Sequence, residues 1–162
     1  MTQRETIRLY TDGACSGNPG TGGYGVVLCC GTLRKELSAG FAQTTNNRME
    51  LLAVIVGLEQ IKWKQADVLV TSDSSYVVNA ITQGWLERWA AGDYISRSSG
   101  KKTAVKNRDL WERLRPLLQR HNVRFEWVKG HNGHPENERC DQLAVAACKG
   151  PDLAEDKGYI NE

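Results

Sequence analysis

Four acids stand in short segments whose neighbours could bring them to one point. Asp12 follows an alternating apolar and polar run, and Glu50 opens an apolar-faced stretch. Asp73 follows a β-branched run, and Asp141 lies in the last helical stretch. Like charges about 4 Å apart repel by roughly 4 kcal/mol at an effective dielectric of about 20, so clustered carboxylates need a counter-charge. Because oxygen ligands suit Mg²⁺ or Mn²⁺, the acids predict a divalent metal site able to serve phosphodiester hydrolysis.

Each acid also has an ordinary structural explanation. Asp12 is half of an Asp-Gly turn pair, Glu50 near a helix start complements the helix dipole, and Asp73 or Ser72 can cap a helix. The positions of these acids favour a role in a metal site over the structural explanations. Asp12 closes a predicted strand before a loop of small residues, and Asp73 follows a buried strand, where ligands of open α/β sheets bind. Glu50 lies between two apolar residues, so it is expected to point inward and need a cation.

The fourth acidic segment also contains two histidines and a cysteine. The spacing of His131, His134 and Cys140 matches no Cys/His pair pattern of zinc sites, and Pro135 opens a helix between them. Zinc is therefore disfavoured. We predict that His131 lies on a mobile, Gly-flanked loop near the acids and that Asp141 faces the sheet.

The elements that position these acids follow from hydrophobic periodicity. Strands are predicted at 7–11, 24–30, 35–41, 67–71 and 123–128. Helices are predicted from a cap at Asn46 or Asn47 to about 61, and at 76–81, 85–91, 109–120 and 136–149. The pattern predicts an α/β fold with a five-stranded mixed sheet, in which an antiparallel meander of three strands is joined by parallel strands and flanked by helices.

The bulk properties set limits on the kind of protein. A length of 162 residues fits one domain, which we place at 1–150 with a polar C-terminal tail at 151–162. The lack of a spanning or signal-like apolar stretch predicts a cytoplasmic protein without membrane association. The five cysteines, an odd number, predict reduced thiols. No apolar stripe is left over after the core is assigned, which favours a monomer.

The small net charge of +2 is unevenly distributed along the chain. Between Arg97 and Arg108 there are five Lys or Arg and no acid, in a segment with Ser-Ser-Gly loop chemistry. This segment predicts a solvated basic protrusion within residues 85–108.

The motifs together resemble bacterial type I ribonuclease H. The similarity lies, in order over nearly the whole chain, in Asp12-Gly13, Thr45-Asn46-Asn47-Arg48-Met49-Glu50-Leu51, Thr71-Ser72-Asp73-Ser74 and Val128-Lys129-Gly130-His131-Asn132-Gly133-His134-Pro135-Glu136-Asn137-Glu138. The resemblance implies a ribonuclease H-like fold and an endonuclease that hydrolyses the RNA strand of RNA/DNA hybrids, leaving 5′-phosphate and 3′-hydroxyl ends. It also implies Mg²⁺ as cofactor, two ions when substrate is bound, with Mn²⁺ as a substitute.

The resemblance further implies a role for each site residue. Asp12 would bridge two ions, and Asp141 would complete the site that activates water. Glu50 and Asp73 would hold the ion on the leaving-group side. His131 would assist proton transfer or product release.

Contacts with both strands of the hybrid are also implied by the resemblance. Small loops and amides can contact the 2′-hydroxyls of a wide minor groove, so RNA-side contacts are expected from several residues. These are Cys15, Ser16, Gly17, Asn18, Asn46, Asn47 and Met49. Thr45, Arg48 and Asn107 resemble a pocket for a DNA phosphate.

The protrusion is expected to add affinity. Trp85 and Trp89 match aromatic positions near the DNA channel, although helix packing explains them as well. Lys101, Lys102 and Lys106 would contact phosphates and make binding fall with salt, although plain solvation is the alternative. The other tryptophans, Trp63, Trp111 and Trp127, are predicted to lie in the core.

Two departures from the family pattern affect binding. Ala90-Ala91-Gly92-Asp93 stands where the most basic relatives carry lysines and arginine, which predicts weaker hybrid binding. Ser75 stands where many relatives have Gln or Lys, which leaves open any contact from that longer side chain.

Two other functions stay open. A metal nuclease of the same superfold, such as an integrase or exonuclease, would share the acids but lack the segments 45–51 and 130–138. A hybrid-binding module without activity would be expected to have lost an acid, and none is missing.

Overall fold

The computed structural model describes residues 5–96, 100–130 and 133–160. His131 and Arg97, which the sequence analysis singled out, lie outside the described residues. The elements in chain order are β1 Ile7–Ser16, β2 Gly20–Cys30, β3 Leu33–Thr44, α1 Asn46–Glu59, β4 Asp67–Ser72, α2 Ser75–Thr82, α3 Trp85–Ala91, β5 Ile95–Ser96, β6 Thr103–Ala104, α4 Arg108–Arg120, β7 Asn122–Trp127, α5 Pro135–Lys149 and β8 Leu153–Ala154. None of the helices in the described part of the chain has the length and apolar character needed to cross a membrane.

The main sheet is mixed, as predicted, but it has six strands in the described residues instead of five. The strand order is β7-β4-β1-β2-β3-β8. β1, β2 and β3 form the antiparallel meander, and β4 and β7 continue it in parallel. The added strand, β8, pairs in parallel with β3 through Gly40 and Leu153. Two residues carry no periodicity, so this strand is not visible in the sequence.

The core lies between the sheet and α1. This helix is buried along most of its length, including Leu51, Ala53, Val54, Ile55 and Leu58. A helix that is apolar around its circumference belongs inside a fold, and α1 is covered by the sheet on one side and α4 on the other. The buried central helix fixes its own N-terminus against the sheet.

Glycines in the sheet allow α5 to pack directly on β2. A Cβ at Gly23 would lie 2.5 Å from the carbonyl oxygen of Ala144, and one at Gly25 would overlap that of Cys140. No side chain fits between helix and strand at these positions, so their lack of a Cβ sets the depth of α5. The helix that carries Asp141 is therefore placed by two glycines in the sheet.

The structure corrects two helix-cap assignments. The N-cap of α1 is Thr45, whose hydroxyl accepts from the Arg48 N–H, and not Asn46 or Asn47. The N-cap of α2 is Ser74, whose hydroxyl accepts from the Val77 N–H. Neither Ser72 nor Asp73 is therefore the N-cap of α2.

Trp127 is not a core residue. It is 52% exposed because β7 is the edge strand and Trp127 is its last residue. Trp111 is fully buried, as expected, and Trp63 packs against the core while partly exposed. All five cysteines are free thiols.

Candidate active site

Adjacent parallel strands place Asp12 and Asp73 at the same level of the sheet. Tyr10 of β1 pairs with Thr71 of β4, and each acid lies two residues beyond that pair. Side chains at two-residue spacing share a face of a strand, so both carboxylates point the same way. The prediction that Asp12 ends a strand is wrong, because β1 continues to Ser16 and forms a hairpin with β2. Only its parallel pairing with β4 ends before the acid.

Gly13 brings the N-terminus of α1 close enough for Glu50 to meet Asp12. A Cβ at Gly13 would lie 2.7 Å from the Glu50 nitrogen and 2.9 Å from the Met49 Cβ. Its own N–H donates to Asp12 Oδ1 at 2.9 Å. One side-chain oxygen from each of Asp12, Glu50 and Asp73 lies within 4.8 Å of the others. Three of the four predicted acids therefore form one cluster.

Asp141 reaches the same cavity from α5. The cavity has a volume of about 380 Å³, and the four acids Asp12, Glu50, Asp73 and Asp141 all line it. Its remaining lining residues are Gly13, Asn46, Asn47, Ser74, Ser75 and Tyr76. Asp141 is partly exposed, whereas Asp12 and Glu50 are buried. Asp73 is partly exposed as well, so the site has two buried and two partly exposed acids.

Burial raises the pKa values of the two inner acids, Asp12 and Glu50. Burial, followed by repulsion from Asp73, raises the pKa of Asp12 to about 8. Burial and then the charge of Asp12 raise the pKa of Glu50 well above its ordinary value. The two carboxyls share a hydrogen bond, which lowers the pKa of Asp12 and raises that of Glu50. Without a cation the pair therefore holds protons near neutral pH.

The donor set fits a hard divalent cation. Glu50 Oε2 is buried and has no hydrogen-bond partner among the described residues. A buried acceptor without a partner costs free energy that a bound cation can offset. The cluster offers carboxylate oxygens, which match the ligand preference of Mg²⁺ and Mn²⁺.

Trp127 and Gly130 hold Asp73 from the side of β7. Trp127 Nε1 donates to the carbonyl oxygen of Asp73 at 3.1 Å. A Cβ at Gly130 would lie 2.8 Å from Asp73 Oδ2, so the loop after β7 passes directly over that carboxylate. Sequence reasoning missed both contacts, because the register of β7 against β4 is a tertiary feature.

Among the predicted RNA-side residues, the asparagines lie at or beside the acidic cavity, whereas Cys15 and Met49 do not line it. Asn46 and Asn47 line the acidic cavity, and Asn18 Oδ1 accepts from the Asn46 N–H at 3.1 Å, tying the β1–β2 turn to α1. Cys15 turns its thiol inward to the carbonyl oxygens of Gly17, Gly20 and Thr44. The Met49 side chain is fully buried in the core and does not reach the cavity surface.

The predicted phosphate-pocket residues line a second cavity. It has a volume of about 870 Å³, and its walls include Thr45, Arg48 and Asn107. Asn47 lines both cavities, so the two are neighbours. The Arg48 side chain is only 3% exposed and is paired with Asp109 and Asp156.

The protrusion tryptophans pack together in the described structure. Trp85 and Trp89 are tilted against each other with ring centroids 6.3 Å apart, and Trp89 lies 5.5 Å from Trp111. Lys101, Lys102 and Lys106 are exposed. Arg108 forms ion pairs with Asp93 and Glu112, which reduces the basic character of this segment.

The fold and the cavity together define the class of the protein. It is an α/β protein in which carboxylates from adjacent parallel strands and two helices surround a site suited to a divalent cation.

Comparison with known proteins gives the family. The RNase H family model matches residues 4–149. The chain is 62% identical over 152 residues to ribonuclease H of Desulforamulus reducens, covering 94% of this chain and 93% of that protein. It is 52% identical over 160 residues to ribonuclease H of Trichodesmium erythraeum, covering 98% and 99%. The chain belongs to the RNase H family.

Solved structures agree with this assignment. LC9-RNase H1, described as a type 1 RNase H with the type 2 active-site motif, superposes with a TM-score of 0.79 at 31% identity, covering 100% of this chain and 80% of that one. LC11-RNase H1, solved in complex with an RNA/DNA hybrid, superposes with a TM-score of 0.63 at 25% identity, covering 88% and 96%.

Proposed function

We propose that this protein is an endonuclease that hydrolyses the RNA strand of RNA/DNA hybrids, leaving 5′-phosphate and 3′-hydroxyl ends. The observation that carries the proposal is the cluster formed by the buried Asp12 and Glu50 with the partly exposed Asp73, in a cavity completed by Asp141. Membership of the RNase H family and the hybrid bound by LC11-RNase H1 support the substrate.

The four acids would hold two divalent ions, Mg²⁺ with Mn²⁺ as a substitute. Ions bound in such a pair stabilise the attacking and leaving oxygens of an in-line displacement and activate water. Asp12 and Glu50 release their protons when the site is loaded, because a neighbouring positive charge favours their ionised forms. By the family motif Asp141 would complete the site that activates water, and the main chain at Asp73 is held in place by Trp127.

The substrate would be recognised on both sides of the cavity. We assign the RNA strand to the turn and helix start at Asn18, Asn46 and Asn47, which border the acids. The second cavity, beside Asn47, would take the DNA strand. His131 would assist proton transfer or product release, since Gly130 next to it contacts Asp73.

The proposal includes a monomer acting in the cytoplasm, with residues 1–150 as the catalytic domain. The family match to residues 4–149 supports these bounds.

The substrate claim is tested with one labelled RNA strand annealed to DNA, annealed to RNA, or left single-stranded. We expect cleavage of the hybrid alone in Mg²⁺, and none in EDTA. Equal cleavage of the RNA duplex would instead favour a different metal nuclease of this fold. Binding of the hybrid without cleavage in Mg²⁺ or Mn²⁺ would leave only a binding module.

A further inference from the structure

Every donor of the buried Arg48 side chain is already used. A guanidinium has five N–H groups and no acceptor. Nε and one N–H of Nη2 donate to Asp156 at 2.7 and 3.0 Å. The other N–H of Nη2 and one of Nη1 donate to Asp109 at 2.7 and 2.9 Å, and the last donates to Asn107 Oδ1 at 3.3 Å. Arg48 therefore has no N–H left for a phosphate unless it gives up one of these partners.

Arg48 fixes the orientation of Asn107. Because Arg48 can only donate, the Asn107 amide must present its oxygen to it and turn its NH₂ group the other way. That group donates to the Tyr76 hydroxyl at 3.1 Å, which uses one of its two N–H groups, and Asn107 lines the second cavity. Asn107 also has a φ of 64°, a left-handed conformation that Asn tolerates better than most residues.

Thr45 offers a second donor in the same cavity. Its hydroxyl accepts from the Arg48 N–H at 3.3 Å, which leaves the hydroxyl hydrogen available to donate. Thr45, Asn107 and Lys106 all line the second cavity. Two neutral donors and one cation suit a single phosphate group.

The C-terminal segment closes this arrangement. Asp156 is 8% exposed, against 44% for Asp109, so it is the more buried of the two partners of Arg48. It also accepts from the Thr44 hydroxyl at 2.7 Å. A Cβ at Gly158 would overlap Asp109 Oδ2 and lie 2.7 Å from Arg48 Nη2, so the segment crosses the ion cluster in close contact with both side chains. Burial raises the pKa of Asp156, but the bonds from Arg48 and Thr44 hold it below its ordinary value.

We propose that residues 153–160 are a positioning element of the nucleic-acid interface. Asp156 holds Arg48, and Arg48 in turn orients Asn107, which together with Thr45 binds one backbone phosphate of the hybrid. Arg48 is then a positioning residue and not a phosphate ligand. This inference rests on the proposed function, because it takes the ligand of the second cavity to be the strand that is not cleaved.

The test compares Asp156→Asn with Glu59→Gln. Glu59 forms an ion pair with Arg113 at 2.6 Å at the other end of α1, so the control removes an ion pair outside the cavities. Equilibrium binding is measured by fluorescence anisotropy in Ca²⁺, so that it is independent of cleavage. The ligands are the hybrid and two series in which one phosphate at a time, of the DNA strand or of the RNA strand, is an uncharged methylphosphonate.

For Asp156→Asn we expect the Kd of the natural hybrid to rise about five- to tenfold, the range for one lost phosphate contact. The difference between variant and wild type should vanish on the one methylphosphonate hybrid that already weakens wild-type binding. The control should bind every hybrid as wild type does. In cleavage assays KM should rise while kcat stays within about twofold.

Three results would overturn the inference. An equal loss on every methylphosphonate hybrid would mean that Asp156 acts on stability alone. Tighter binding by Asp156→Asn would mean that Arg48, once released, is itself the phosphate ligand. If the difference in Kd between variant and wild type vanishes only on a hybrid with its methylphosphonate in the RNA strand, the cavity binds that strand.

If Asp156→Asn does not fold, Asp109→Asn removes the more exposed partner of Arg48 and should raise the Kd in the same direction. Absence of cleavage by wild type, with the binding pattern intact, would contradict the proposed function and leave this inference standing.

Discussion

At the scale of single residues, the acidic cluster is an unfavourable arrangement that a cation makes favourable. Asp12 and Glu50 are buried, and the pKa of Asp12 is raised to about 8. Between its ordinary value of 3.8 and about 8, the folded protein therefore binds more protons at Asp12 than the unfolded chain does. It follows that the free energy of unfolding decreases as the pH rises through this window.

Asp12→Asn should therefore remove activity and stabilise the metal-free protein. In EDTA near pH 8, we expect its Tm to exceed that of wild type by about 5 °C. The difference should shrink toward pH 4, where wild-type Asp12 is protonated in the folded protein and the unfolded chain begins to bind the same proton. Thermal melts at both pH values check this. A Tm difference that does not depend on pH would mean that the charge of Asp12 is not the cause.

Trp127 is the residue that the sequence analysis assigned wrongly and that the site uses. Replacing it with Phe keeps an aromatic ring but removes the hydrogen bond from Nε1 to the Asp73 carbonyl. A net contribution of about 1 kcal/mol to the position of Asp73 corresponds to a loss of about fivefold in kcat/KM. The free energy of unfolding should change little, because Trp127 is 52% exposed.

The matched control is Trp63→Phe, at a tryptophan that packs against the core. It should leave kcat/KM close to that of wild type. A titration with Mg²⁺, followed by thermal shift, should show weaker metal binding for Trp127→Phe only. Unchanged activity and unchanged metal binding in Trp127→Phe would rule out the positioning role.

At the scale of elements, periodicity located the five longest strands and every helix of the described chain, although β1 ends five residues later than predicted. Periodicity failed where glycines, which usually indicate a loop, lie in strands instead. The segment from Gly13 to Gly23 looks like a loop by composition, but it forms the β1–β2 hairpin. Its glycines are needed because helices pack closely on both strands, which is a tertiary demand that one sequence does not display. β8 was missed because its two residues pair only in the folded state.

Gly25→Ala should displace α5 and, with it, Asp141. The new methyl group would overlap the Cys140 carbonyl oxygen, so we expect a loss of about 1–3 kcal/mol in the free energy of unfolding. Activity should fall even at temperatures where the variant is folded, because Asp141 follows Cys140. The control is Gly150→Ala at the end of the same helix, where the nearest atoms are 3.4 Å away. Urea unfolding with parallel assays measures both effects, and wild-type behaviour of Gly25→Ala would contradict this account of α5.

At the scale of the whole molecule, only part of the surface has the positive charge that would attract a polyanion. Four acids line one cavity, while the exposed Lys101, Lys102 and Lys106 lie in the protrusion and Lys106 also lines the second cavity. The family motifs were sufficient to find all four acids. They could not show that Arg48 is enclosed by Asp109 and Asp156, because these three residues meet only when α1, α4 and the C-terminal segment pack together.

The double variant Lys101→Ala/Lys102→Ala should bind the hybrid more weakly and with a smaller dependence on salt. Each lysine that contacts a phosphate contributes about one to the slope of log Kd against log salt concentration. The control is Lys62→Ala/Lys149→Ala, which removes the same charge from other exposed positions. If both double variants change the slope equally, the lysines of the protrusion act through net charge and not through contacts.

We propose above that the four-acid cavity uses divalent cations to cut the RNA strand of a hybrid. The most direct test of this proposal follows one end-labelled hybrid with wild type and with Asp12→Asn, in Mg²⁺ and in EDTA, while anisotropy monitors binding. We predict that wild type cuts only the RNA strand, only in Mg²⁺, and leaves 5′-phosphate ends. Asp12→Asn should bind the hybrid and leave it intact. Cleavage by Asp12→Asn at the wild-type rate, or cleavage by wild type in EDTA, would contradict the account.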